Sequence, residues 1–135
     1  MMNEVTEFLT KNQIQYLAAV GLDGKPKVRP FMFKLEDEGK LYFSTSNQNT
    51  VYKEMKANPN VELCALGENY SRIRLSGKVI FSDNMEIKAQ IVESNELVKS
   101  IFKTPDNPIL ELFYLVDVTA VIADLSGNPP KTYAL

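Results

Sequence analysis

Histidine is absent from all 135 residues. That absence removes Ser-His-Asp and Cys-His catalysis, histidine metal ligands and a histidine-held haem together. The single cysteine, Cys64, forbids an internal disulfide and any cysteine-rich zinc site. It lies in the apolar run Val61, Leu63, Ala65, Leu66, which reads as a buried strand, so Cys64 is expected to be inert core. No glycine occurs between Lys40 and Asn60, which excludes a glycine-rich nucleotide loop there. No apolar run has the length of a membrane span, because the stretch from Ile109 to Ala123 is interrupted by Glu111, Asp117 and Thr119. Positive charge is not in excess either: 15 Lys and Arg against 17 Asp and Glu give a net charge of -2. The broad positive field of a general nucleic-acid binder is missing, which weighs against a barrel that grips single strands. The start, Met1-Met2-Asn3-Glu4, has no basic segment followed by an apolar one, so the expected location is the cytoplasm.

What remains has the balance of one soluble domain over residues 1–135, with 44% hydrophobic and 24% charged residues and no repeat or linker. A chain of this size buries roughly 65–70% of its unfolded surface without metal or disulfide staples. Asn3 reads as the cap of a short helix with Val5, Phe8 and Leu9 on one side, ending near Asn12. Gln15–Val20 and Lys27–Leu35 read as strands around an Asp23-Gly24 turn, and Glu36–Gly39 turns the chain into a strand over Lys40–Thr45. A polar run, Ser44–Thr50, leads into a helix over Val51–Ala57 that Asn58-Pro59 stops. Strands over Asn60–Leu66 and Tyr70–Phe81 flank a short turn, Gly67-Glu68-Asn69. Asp83 with Glu86 resembles a capping box for a helix reaching towards Phe102, which Pro105 and Pro108 bring to an end. A last strand, Leu110–Ala123, precedes a polar tail through Pro129-Pro130. The expected fold is mainly β (α+β): six antiparallel strands in a closed or partly closed barrel, with helices at its margins.

Three groups of residues carry possible chemistry. Arg29 lies inside the apolar strand Val28-Arg29-Pro30-Phe31-Met32-Phe33. It either pairs with a carboxylate on a neighbouring strand or aims a fork of donors at a phosphate or a polar ring edge. The stretch from Ser44 to Lys53 combines a strand end, hydroxyl and amide side chains, a helix N-terminus and a lysine in the first turn, an arrangement that favours anions. The plainer reading of that stretch is a solvated loop capped by Asn49 or Thr50. Arg72 and Arg74 share one face of a strand, where acids on a hydrated surface balance them or a ligand or partner meets them.

The order of these pieces resembles the FMN-binding split barrels related to pyridoxamine 5'-phosphate oxidase. The resemblance lies in Tyr16–Pro26 followed by Val28-Arg29-Pro30-Phe31, then Leu41-Tyr42-Phe43-Ser44-Thr45-Ser46, Lys53 and Met55–Val61. It covers about residues 4–125 and is strongest over 16–66. The tail from Asn128 to Leu135 has neither the arginine nor the histidine with which true pyridoxamine phosphate oxidases hold their substrate. Size and pattern are closer to the nitroimidazole-resistance (Nim-type) branch, associated with flavin-dependent nitro-group reduction. The resemblance implies a six-stranded split barrel, a homodimer, and FMN in the groove between subunits. Arg29, Lys53 and the loop with Ser44, Thr45, Ser46, Asn49 and Thr50 would meet the phosphate or ribityl chain, and backbone around Pro30, Phe31 and Met32 the ring edge. The implied function is an FMN-dependent oxidoreductase that reduces a small organic substrate, nitroaromatics included, with electrons from NAD(P)H or another carrier. The alternative is a flavin- or ligand-binding dimer without turnover, acting as carrier or sensor. No spacing selects a catalytic acid or base among Tyr42, Tyr70 and the carboxylates.

Overall fold

The computed structural model describes residues 2–135, with side chains from Glu4 onward. Helix α1 (Met2–Lys11) is followed by strands β1 (Ile14–Val20), β2 (Pro26–Met32), β3 (Leu35–Asp37) and β4 (Lys40–Ser46), and then by α2 (Thr50–Ala57). Next come β5 (Asn60–Leu66), β6 (Arg72–Ser82), α3 (Met85–Ser94), α4 (Glu96–Phe102), β7 (Leu110–Ala123) and β8 (Lys131–Ala134). All strands join one antiparallel sheet in the order β2-β1-β5-β6-β7-β4-β3, with β8 added on β7.

The sheet has eight strands where six were expected, for two reasons. The stretch read as one strand over Lys27–Leu35 is divided: residues through Met32 pair with β1, those from Leu35 pair with β4, and Phe33 and Lys34 lie between. The two ends of the ladder are thus successive pieces of one chain segment, and the sheet stays open at this seam. Pro30 is tolerated because β2 pairs on one side only, where Pro30 sits opposite Tyr16. The second addition is the tail, whose residues 131–134 pair with Thr119–Ile122. Tyr133 and Leu135 pack against the main core, while Lys131 and the Tyr133 hydroxyl both reach Glu4 on α1.

One buried side chain holds the seam. The backbone N–H of Phe33, between the two ladders, donates to Oε1 of Gln15 at 2.7 Å. Nε2 of Gln15 donates to the carbonyls of Leu9 (3.2 Å) and Asn12 (2.6 Å), where α1 ends and its carbonyls lack helical partners. Gln15 is fully buried, so its amide satisfies both ends of this arrangement away from water.

The helices differ from expectation in detail. Asn3 lies within α1 rather than before it, and its side chain is outside the described residues. Asn84, not Asp83, caps α3, accepting from the Ile87 N–H at 3.2 Å. The helical stretch towards Phe102 is broken at Asn95, which adopts extended backbone, ends α3 and caps α4 by accepting from the Val98 N–H.

The core has two parts. Inside the barrel, Phe43 stacks on Phe113 with ring centres 5.5 Å apart, and Phe31 and Phe81 meet Phe113 edge-on. Outside it, α3 and α4 lay Ile87, Ile91, Val92, Val98 and Phe102 over Tyr42, Leu110 and Leu112. Leu41, Tyr42 and Phe43 are therefore all buried, because β4 is covered on both faces. On β5 only Val61, Leu63 and Ala65 point inward, and Cys64 is exposed. The apolar run had read as fully buried, but the two-residue alternation of a strand covered on one face turns Cys64 and Leu66 outward.

Candidate functional site

A cleft of about 850 Å3 opens along the seam, within the range of small-molecule sites. It exists because the ladder does not close: β2 forms one wall, the end of β4 and the start of α2 form another, and α4 lies over both. From β2 come Arg29, Pro30, Phe31 and Met32, and from the crossing comes Lys34. The polar side is Ser44, Thr45, Ser46, Asn49 and Thr50 with Val51 behind them, and the apolar side is Ile14 with Leu97, Val98, Ile101 and Phe102.

Nine of the ten positions expected around a ligand thus line one cleft. The exception is Lys53, which stands on the exposed side of α2 and forms no part of the wall. The helical period explains this: Val51 and Met55 face the core, which turns residue 53 to solvent.

The start of α2 favours an anion in a way the plainer reading does not provide for. Asn49 has extended backbone but makes no side-chain capping bond; its amide lies instead 3.5 Å from the Thr45 hydroxyl. The first turn carries no acid, so its N–H groups lack the acceptor that a capping side chain supplies. Hydroxyls and amides at a helix N-terminus suit a phosphate, with backbone donors and the helix dipole acting together.

Arg29 satisfies both readings in part. Its Nη1 donates to Oε1 of Glu54 at 2.6 Å, and Glu54, on α2 rather than on a neighbouring strand, is almost wholly buried. Arg29 also lines the cleft, and four of its five N–H donors are not used by this bond. By contrast, Arg74 pairs with Glu62 on an exposed strand face, and Arg72 is exposed; neither lines the cleft. Tyr42 lies beneath α3, where burial raises its pKa, and Tyr70 is exposed, so neither reaches the cleft.

Lys34 was not singled out in the sequence, although it follows directly on the Arg29–Phe33 strand. It forms no ion pair among the described residues, and burial lowers its pKa below the usual lysine range. The unfolded chain therefore holds more protons at this position between the lowered value and 10.5, so the stability contribution rises with pH through that window. Lys34→Met is expected to raise the urea midpoint at neutral pH, and the gain over the parent chain should shrink as pH approaches 10.5. A pH-independent difference between the two chains would contradict this account of Lys34.

Helix α4 also supplies part of the wall that no local signal marks. Its Leu97 and Ile101 stand four residues apart and share the cleft face, while Val98 and Phe102 anchor the helix in the outer core. That spacing was visible in the sequence, but nothing local revealed which surface the helix would cover. Among the described residues no cluster of histidine, cysteine or acidic side chains suits a metal, and no helix is long and apolar enough to cross a membrane.

An antiparallel sheet left open at one seam, with a cleft along it, defines the split-barrel fold. The chain belongs to the pyridoxamine 5'-phosphate oxidase family, whose model matches residues 1–121. It is similar to a NimC/NimA family protein from Clostridium acetobutylicum, with 31% identity, a TM-score of 0.90, and coverage of 99% of this chain and 92% of that one. The fold is shared with general stress protein 26 from Bacillus anthracis (21% identity, TM-score 0.80, 98% and 97% covered). It is shared also with a pyridoxamine 5'-phosphate oxidase-related, FMN-binding protein from Nostoc punctiforme (19% identity, TM-score 0.69, 96% and 87% covered). No curated protein matches the chain.

Proposed function

We propose that this protein is an FMN-dependent oxidoreductase acting on a small organic substrate, with FMN in the cleft at the seam. The observation that carries the reading is the two-ended character of that one cleft: an uncapped helix start ringed by hydroxyl and amide groups at one side, and apolar surface at the other. Those residues fit a phosphorylated ribityl chain joined to a flat ring. Ser44, Thr45, Ser46, Asn49 and Thr50 would hold the phosphate and ribityl hydroxyls, and Arg29 would add donors beyond the one it gives to Glu54. Backbone over Pro30–Met32 would meet the ring edge. Bound flavin supplies hydride chemistry itself, which suits a chain without histidine. The family relationship and the FMN-binding protein of the same fold support the cofactor.

A homodimer belongs to this reading. The outer face of β2, β1 and β5 leaves Val28, Tyr16, Cys64 and Leu66 exposed on neighbouring strands, a patch that a second copy would cover. The same copy would give the open cleft a further wall. Light scattering is expected to report a dimer, and a strictly monomeric holoprotein would contradict the arrangement.

The test of the cofactor is the visible spectrum of the purified protein, repeated after denaturation and after titration with added FMN. One FMN per chain is expected, whereas a colourless protein that takes up no FMN would overturn the proposal. Turnover follows from oxidation of NADH or NADPH with nitroaromatic compounds or quinones. Stoichiometric flavin without turnover on such a panel would leave the protein a flavin carrier or sensor. Because Lys53 stands outside the wall, Lys53→Ala is expected to weaken FMN binding by no more than about fivefold, the range of an exposed ion pair. A larger loss in the same titration would place the phosphate nearer to Lys53.

A further inference from the structure

Ile14, Leu97 and Ile101 are large apolar side chains about half exposed, and all three lie on the wall of the same cleft. Two of them belong to α4, whose remaining polar side chains are engaged elsewhere or absent from the wall. Lys99 pairs with Glu93, the Ser100 hydroxyl donates to the Leu97 carbonyl, and Glu96 does not line the cleft. Helix α4 therefore brings neither a charge nor a side-chain hydrogen-bonding group to the site. Its position is set from both sides: Val98 and Phe102 are buried beneath it, and the Asn95 amide at its start lies 3.5 Å from the Met32 sulfur on β2.

We infer that Leu97 and Ile101 are specificity-determining residues, forming the face against which a flat, neutral, apolar ring is bound. This deepens the FMN reading of the cleft and rests on it for the redox role of the bound ring. A concave site of this size with half-exposed apolar side chains is completed by a small ligand that covers them. A charged group pressed against that face loses its water and gains no partner, so charge on that side of the ring is excluded. Lys34 lines the cleft from the crossing between β2 and β3 and offers a donor there to an acceptor atom.

The test compares binding of nitrobenzene and of 4-nitrobenzoate to the FMN-loaded protein by calorimetry, with nitrobenzene alone repeated on the flavin-free protein, whose open anion-favouring end would hold the carboxylate. In the parent chain, nitrobenzene is expected to bind at least about tenfold more tightly than 4-nitrobenzoate, as apolar pockets of this kind discriminate. In the double variant Leu97→Ser, Ile101→Ser the nitrobenzene affinity should fall by at least about tenfold. FMN affinity should fall less than nitrobenzene affinity, since the polar side of the cleft and the β2 wall still hold the phosphate, the ribityl chain and the ring edge, and nitrobenzene is therefore titrated at saturating FMN. Both side chains are half exposed, so folding should tolerate the change; Leu97→Lys, which keeps a good helix former, gives a second readout by reversing the preference towards 4-nitrobenzoate. Equal nitrobenzene binding by the parent and the double variant, or tighter binding of 4-nitrobenzoate by the parent, would overturn the inference. Failure to take up FMN would instead overturn the cofactor reading, while nitrobenzene binding to the flavin-free chain and its loss in the variants would still decide the role of α4.

Discussion

Arg29→Ala is expected to lower the unfolding free energy by about 1.5–3 kcal/mol, the range of a charge-assisted hydrogen bond, because only Glu54 of the pair is fully buried and Arg29 lines the open cleft. Glu54 is the reason. It is 2% exposed, and its Oε1 lies 2.6 Å from the guanidinium, so truncating the arginine leaves a poorly hydrated carboxylate without its cation. Arg29→Leu combined with Glu54→Leu should recover most of the loss, because an apolar pair of similar volume avoids the desolvation of both ions. Urea unfolding of the three chains measures this directly. A single variant as stable as the parent would mean that the pair contributes nothing and that Arg29 is retained for the cleft alone. FMN affinity of Arg29→Ala should be measured at a temperature where circular dichroism shows the variant folded, so that a lost contact is not confused with lost structure.

A comparable loss is expected at the seam. Gln15→Leu should cost about 2–4 kcal/mol, since it strands the Phe33 N–H and the Leu9 carbonyl in a buried setting. Gln15→Glu separates shape from hydrogen bonding. The carboxylate can accept from Phe33 but cannot donate to Leu9 or Asn12, whereas the protonated carboxyl can do both. Burial and the two carbonyls favour the protonated form in the folded chain, which then binds more protons than the unfolded one above the ordinary carboxyl value. Measured against the parent at each pH, the variant should therefore lose stability as pH rises through that range and recover as it falls. A constant deficit across pH would show that the amide donors do not matter. Ligand affinity of the folded variant should weaken as well, because Lys34, Met32 and the cleft wall follow directly from where Phe33 is pinned.

Much of this fold was legible in the chain itself, and the particulars show why. The Asp23-Gly24 and Glu38-Gly39 turns announce themselves because each ends in a glycine, and Gly24 and Gly39 take the positive φ that side chains rarely adopt. The last long strand, expected over about Leu110–Ala123, is legible because a proline pair precedes it and β-branched residues are frequent in it. Alternation was weaker evidence at Cys64, where an apolar run looks the same whether both faces are covered or one. The division of Lys27–Leu35 had no signature at all, since Phe33 and Lys34 are ordinary strand residues and the break depends on which neighbours lie alongside. Tail strand β8 was hidden behind Pro129-Pro130, which mark a turn as readily as an end.

The candidate site divides in the same way. Local chemistry marked Ser44–Thr50 and the strand around Arg29, because a polar run at a helix start and a lone arginine among apolar residues are visible without neighbours. The partner of Arg29 was not visible, since Glu54 is 25 residues away and on a helix. Helix α4 is likewise far in sequence from β4, whose Tyr42 it helps to cover. By itself the sequence determined the absence of histidine chemistry, the antiparallel strands and their turns, and the anion-favouring run, all of which depend on composition or on neighbours within a few residues. Only the tertiary structure decided that the barrel opens at Phe33, that Gln15 holds the opening, that Lys53 faces solvent while Lys34 faces the cleft, and that Leu97 and Ile101 complete it. Those are matters of long-range register and packing, set by the free energy of burying two cores at once rather than by any local preference of the chain.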